Sequence, residues 1–294
     1  MNKIIAFLII WLSAISPLLA KEIKVLTIGN SFAWSLKSYF AKAAKSAGDE
    51  IILGEANFGG CTLKRHWEYI QKEELDEDAK IYQNGSSKLR DILKSQDWDF
   101  ISIHQASFES HKFETYEPYA SNIIAYIKKY APNAEIVIQQ TWSYRADSPL
   151  LKEWQMTSAD MFDALQNAYA KLAKKHGLRQ IPMGKAVQIA RANSSIKFCP
   201  PKDGELKTYN YPDLPRQAGD PVGFSQWKKR KDEMAIDTDY KHLNKYGEYL
   251  QACLWYAFVS GNSAKKITYV PKIMSSKDAL FFRETADAAL KADF

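Results

Sequence analysis

Short apolar runs alternate along the chain with stretches whose apolar residues recur every three or four positions. Ile23–Ile28 is mostly apolar, the pattern of a strand buried on both faces of a parallel sheet. Leu36, Phe40, Ala43 and Ala44 then mark one face of a helix that ends near Gly48. Ile51–Leu53 is a second, shorter strand. Leu89, Ile92 and Leu93 mark a helix, Trp98–His104 a third strand, and Tyr116 to Tyr130 a helix stopped by Pro132 and Asn133. Glu135–Gln139 is the fourth strand. Met161, Leu165, Ala168 and Leu172 describe a long helix closed by Gly177, and Arg179–Met183 a weak fifth strand. Helices are expected over Gly184–Ala192, Tyr246–Val259 and Lys277–Leu290.

Five strands separated by helices need crossover connections. The pattern predicts an α/β protein: three-layer α/β/α, with a flavodoxin-like five-stranded parallel sheet. Functional residues in such a sheet belong at the C-terminal strand ends. One stretch breaks the alternation. Residues 195–236 hold Pro200, Pro201, Pro212, Pro215 and Pro221 with several glycines and little periodicity. A long loop insertion is expected there, inside a single domain running over residues 21–294. It leads straight into Asp239 and His242, so it reads as a wall of the functional site.

Residues 1–20 stand apart. Lys3, the apolar stretch Ile4–Leu12 and the segment Ser16–Ala20 predict a signal peptide cleaved after Ala20, and hence a secreted or periplasmic protein. An uncleaved anchor is the alternative. No later apolar run is long enough to cross a bilayer, so no stable membrane insertion is expected after cleavage. The net charge of +6 is mild, and the one basic run, Lys228–Lys231, is interrupted by Asp232 and Glu233. It reads as a solvated loop rather than a nucleic-acid surface. Cys61, Cys199 and Cys253 have unrelated spacings, which leaves one disulfide or free thiols both open. No histidine or carboxylate spacing suits a metal, and no phosphate or dinucleotide loop is present, so neither metal nor cofactor is expected.

The candidate chemistry lies at the strand ends. Ser31 follows the first strand in Gly29-Asn30-Ser31-Phe32. A serine hydroxyl is a poor nucleophile until a base takes its proton and a carboxylate holds that base. Asp239 and His242 supply both types three residues apart, with Asp237 a competitor for the carboxylate role. Plainer readings exist: Ser31 as a helix N-cap, and Asp239 and His242 as a surface pair. Acyl transfer also needs fixed donors for the developing oxyanion. Gly59-Gly60, after the second strand, lets backbone N–H groups approach a ligand, and Gln105, after the third, carries an amide donor. A tight turn and a loop-satisfying amide are the simpler accounts of these. His66, Trp142, Tyr144 and Arg145 fall near strand ends or in the loops after them and are candidate substrate contacts. The aromatic rings would suit either sugar stacking or core packing.

These blocks resemble the SGNH (GDSL-like) hydrolase superfamily, in its branch of uncharacterised exported bacterial proteins. The matching stretches are Ile28–Phe32, Gly59–Leu63 with His66-Trp67, Asp99–Ile101 through His104–Ser107, Thr141–Tyr144 and Asp239–Leu243, so the resemblance spans about Lys24 to Gly261. It implies that Ser31 is the nucleophile, that His242 is the base with Asp239 as its partner, and that Ser31 N–H and Gly60 N–H line an oxyanion hole. The superfamily's usual third block, Gly-x-Asn-Asp, is missing. The chain looks more like the sialate acetylesterase and acetylxylan esterase branches, and on that likeness the third donor falls to Gln105. The first block is Gly-Asn-Ser-Phe rather than Gly-Asp-Ser-Leu. The implied activity is a serine esterase that removes acyl groups, acetyl first, from a carbohydrate or small-molecule ester without a cofactor. A non-catalytic carbohydrate-binding protein on the same fold is the alternative, and a lipase or thioesterase is a third.

Overall fold

The computed structural model describes residues 20–202, 204–231 and 233–291. The expected signal peptide lies outside the described residues except for Ala20. Five strands, β1 (Glu22–Gly29), β2 (Glu50–Asn57), β3 (Phe100–Ile103), β4 (Glu135–Gln139) and β5 (Arg179–Ile181), form one parallel sheet in the order β2-β1-β3-β4-β5. The helices are α1 (Ser31–Trp34), α2 (Leu36–Ser46), α3 (Leu63–Leu75), α4 (Tyr82–Gly85), α5 (Leu89–Lys94), α6 (Tyr119–Tyr130), α7 (Pro149–Glu153), α8 (Ser158–His176), α9 (Met183–Asn193), α10 (Lys245–Ser260) and α11 (Ser276–Lys291). They flank the sheet on both faces, giving the three-layer α/β/α arrangement expected from the alternation. α3 packs against α6, and α2 and α11 against α10.

The local causes are those of ordinary α/β proteins. Val25, Leu26 and Ile28 of β1, Ile101 and Ile103 of β3 and Ile136–Ile138 of β4 are buried, because helices cover both sheet faces. α8 starts at a capping box made by Thr157 and Asp160 and stops at Gly177 with φ 63°. α10 is apolar almost all round, and Tyr249–Val259 is buried without a break. A helix of that kind belongs inside a core, and one hydrophobic cluster does run from Ile23 to Ala289.

Strand order reverses beside β1. The chain steps outward to β2, then returns across β1 to β3. Ligands of open α/β sheets bind in the crevice outside the strand ends at such a reversal. Ile28 pairs with Ile103, so the ends of β1 and β3 lie side by side there.

Two expectations need correction. The stretch 195–236 is not all loop: Val222–Arg230 (β6) and Glu233–Leu243 (β7) form an antiparallel hairpin, with Phe224 opposite Asp239. Its outer half, including Gln226, Lys229 and Arg230, is exposed. With neither face buried there, the sequence shows no period-two alternation. Helix α3 was not expected either, because two of its four inward positions are the polar His66 and Glu73.

Candidate active site

Gly29, at the end of β1, is pinned from both sides by imidazoles. A Cβ on Gly29 would sit 1.9 Å from Cε1 of His104, so only glycine fits. His66 Nε2 donates to the Gly29 carbonyl at 2.8 Å, and Tyr82 donates to His66 Nδ1 at 3.0 Å. Asn30 N–H donates to His104 Nε2 at 3.2 Å. The Asn30 carboxamide is fully used: its oxygen accepts from Phe32 N–H, and its nitrogen donates to the carbonyls of Cys61 and Gln105, each at 3.2 Å. Asn30, not Ser31, is therefore the N-cap of α1. One side chain ties together the chain segments that leave β1, β2 and β3.

Ser31 Oγ is thereby left for another partner. His242 Nε2 lies 2.8 Å from it, and His242 Nδ1 lies 2.6 Å from Asp239 Oδ2. Asp239 Oδ1 accepts from the backbone N–H groups of Lys241 and His242 at 2.9 and 2.8 Å. This explains the three-residue spacing, since one carboxylate closes its own turn and orients the ring. A carboxylate can only accept, so Nδ1 carries the imidazole proton and Nε2 presents its lone pair to the Ser31 hydroxyl. Burial opposes the charge on Asp239. The bonds from the His242 ring and the two backbone N–H groups outweigh it and hold the carboxyl well below the usual range. Asp237 is committed elsewhere, to Lys228 at 2.6 Å and Arg230 at 2.5 Å.

Gly60 sits in a tight turn closed by the Cys61 N–H to Phe58 carbonyl bond, and its φ is +60°. A positive φ at the third turn position, following a residue of negative φ, is a type II pattern that favours glycine. The turn is held beside Ser31 by the Phe58 N–H bond to the Gly29 carbonyl and by Asn30. Neither Ser31 N–H nor Gly60 N–H has an acceptor among the described residues. Gln105 differs from expectation. Its amide nitrogen donates twice to Thr115, and its amide oxygen accepts from Leu63 and Ala106 N–H. Both amide protons are engaged, so Gln105 anchors loops and is no free oxyanion donor. The helix after Ser31 is a single turn, so anion stabilisation falls to individual N–H groups rather than to a helix dipole.

The four suggested substrate contacts are also corrected, because all are buried. His66 is enclosed beneath Gly29. Trp142 stacks on Phe32 with centroids 4.1 Å apart and donates to the Lys241 carbonyl at 2.7 Å. Tyr144 bonds Ser107 at 2.8 Å. Arg145 pairs with Asp147 through two nitrogens, and its N–H donates to the Tyr240 carbonyl. Trp142 and Arg145 thus hold the Asp239–His242 turn from behind rather than facing substrate. The sequence reading missed Asn30 as a tie between loops and His104 as packing for Gly29. The signals were present, since a glycine and a small amide precede the serine and a histidine ends β3.

Burial pushes His66 down to about 4 and His104 down to about 3. Both stay neutral in the folded protein at pH values where an unfolded chain, with histidines near 6.5, gains protons. Stability should therefore fall as pH drops from about 6.5 to 4.5, by on the order of 2–4 kcal/mol. Glu117, held near 2 against its burial by bonds from Lys175, Ser121 and His176, loses its contribution only below about pH 4.5. Unfolding temperature measured across this range checks the assignment. A flat profile from 6.5 to 4.5 would contradict it.

The three cysteines are free. Burial pushes the Cys61 and Cys253 thiols up to about 12, which leaves neither as a competing nucleophile at neutral pH. A cavity of about 650 Å³ lies among α9, α10, α11 and the base of the hairpin, lined by Ile196, Phe224, Ile273, Phe281 and Phe282 among others. None of Ser31, Asp239 and His242 borders it.

Residues 24–211, more than half of the chain, match the family model described as domain of unknown function DUF4886. The chain belongs to the DUF4886 family. The matched region ends before the hairpin that carries Asp239 and His242. The structure is similar to that of a DUF4886 family protein from Bacteroides uniformis, with 24% identity, 92% of this chain and 95% of that chain covered, and a TM-score of 0.72. That likeness establishes the fold over nearly the whole of both chains. Weaker similarities are to a proposed SGNH hydrolase from Slackia heliotrinireducens (20% identity, 80% and 98% covered, TM-score 0.49) and to the lipase/acylhydrolase from Enterococcus faecalis (14% identity, 81% and 96% covered, TM-score 0.46). No curated protein matches the sequence.

Proposed function

We propose that this DUF4886 protein is an exported serine esterase that hydrolyses short acyl esters, acetyl esters first, on carbohydrate. The observation that carries the reading is the hydrogen-bonded line from Ser31 Oγ to His242 Nε2 at 2.8 Å and from His242 Nδ1 to Asp239 at 2.6 Å. His242 takes the Ser31 proton as Oγ attacks the ester carbonyl, and Asp239 stabilises the imidazolium. The oxyanion is held by Ser31 N–H and Gly60 N–H. The intermediate collapses with protonation of the leaving alcohol by His242. Water activated by His242 then releases the acid and regenerates Ser31. A short acyl group is favoured because the large apolar cavity borders no member of the triad.

The test is acetate release from acetylated sugars, together with turnover of a simple ester series from acetyl to octanoyl. Acetate release, with turnover falling as the acyl chain lengthens, is expected. Sugar binding without turnover would replace the reading with a binding protein, and turnover rising towards octanoyl would favour a lipase.

A further inference from the structure

Two aromatic side chains border the Gly59-Gly60 turn and take no part in the chemistry above. A Cβ on Gly59 would lie 3.6 Å from the Trp34 ring, and one on Gly60 would lie 3.9 Å from the Phe108 ring. Trp34 is 42% exposed and Phe108 38%, and among the described residues they are the only tryptophan and the only phenylalanine classed as exposed. Among the described residues neither ring stacks on another aromatic, and the Trp34 indole N–H has no acceptor. Large aromatic surface left in water is costly, at about 25 cal/mol for each Å² of apolar area. Here it occurs twice at one turn.

The placement is specific. Trp34 is three residues after Ser31 in the same helical turn, which sets the two on neighbouring positions of one face. Phe108 follows β3 in the loop that Gln105 anchors. The two rings belong to different segments and flank one turn, Trp34 beside Gly59 and Phe108 beside Gly60. Gly60 needs glycine for its positive φ, but Gly59 has no such need, and its Cβ would meet only an ordinary contact. With glycine at both 59 and 60, the turn between the rings carries no side chain.

We propose that Trp34 and Phe108 are the walls of a pyranose-binding subsite straddling the Gly59-Gly60 turn, which presents a sugar ester to Ser31. The apolar C–H face of a pyranose stacks on such rings, and the free indole N–H can donate to a ring hydroxyl. This rests on the esterase reading for its substrate, but sugar binding can be measured without turnover.

The experiment has two arms. The first is steady-state hydrolysis of an acetylated methyl glucopyranoside and of ethyl acetate, which has no ring to stack. Trp34→Ala and Phe108→Ala should each raise KM for the pyranoside about tenfold, the equivalent of one lost stacking contact, and leave kcat/KM for ethyl acetate within about twofold. Trp34→Phe should recover most of the loss. The second arm is tryptophan fluorescence of the wild type titrated with methyl glucopyranoside, where a saturable change lost in Trp34→Phe is expected. Equal losses on both esters, or unchanged pyranoside KM in both alanine variants, would overturn the proposal. So would the absence of a fluorescence response. A wild type that binds the glucoside but cleaves neither ester would sink the esterase reading and leave the subsite standing.

Discussion

Ser31→Ala is expected to lower acetyl ester hydrolysis by about four orders of magnitude or more, to the residual level that binding and oxyanion donors alone support. The unfolding temperature should change by no more than a few degrees. The separation follows from how the turn is built. Asn30 caps α1 and ties the three loops, and Gly29 is held by His66 and packed by His104. Among the described residues the Ser31 hydroxyl makes one hydrogen bond, to His242. Removing it takes away the proposed nucleophile and little else, so rates on an acetylated sugar and a thermal melt of the same sample check both halves. A variant that keeps a tenth of wild-type activity would show that Ser31 is not the attacking group.

The second large effect is Asp239→Asn, expected to cost about four orders of magnitude in kcat although the variant is nearly the same shape. An asparagine oxygen can still accept from Lys241 and His242 N–H, so the turn is kept. Its nitrogen then faces His242 Nδ1 as a donor, which forces the imidazole proton onto Nε2. That nitrogen would meet Ser31 with a proton rather than a lone pair. The Asp239 carboxyl is held low by its hydrogen bonds, so the stability those bonds contribute is present above the unfolded carboxylate range near 3.9 and is lost as pH falls towards the folded value. Asp239→Asn should lack that acid-dependent part. Asp237→Asn is the control. Its carboxylate pairs with Lys228 and Arg230 on the exposed ribbon, and activity should be unchanged within about twofold.

The sheet was legible because its strands obey one simple rule. β1, β3 and β4 are buried on both faces, and continuous apolar runs announce that directly. Ser31, Asp239 and His242, which the structure brings into one hydrogen-bonded line, could be named as candidates, with Gly60 beside them, because they sit where the fold delivers strand ends, in residue types acyl transfer would require. Gln105, Trp142, Tyr144 and Arg145 sit at strand ends too, yet they face inward. A sequence lists donors and rings but not whether another loop has already claimed them, as Thr115 claims the Gln105 amide and Phe32 the face of Trp142. Trp34 shows the converse. Placed one turn past Ser31, it resembles any helical core residue by spacing, and only its exposure in the folded chain separates it from Phe32 and Ala33 beside it.

The central claim, that His242 makes the Ser31 hydroxyl reactive, is tested most directly by active-site labelling with a fluorophosphonate followed by peptide mapping. Stoichiometric modification confined to Ser31 in the wild type, and slowed at least a hundredfold in His242→Ala, is the predicted result. A folded wild type that takes up no label at Ser31, or one labelled equally fast without His242, would contradict it.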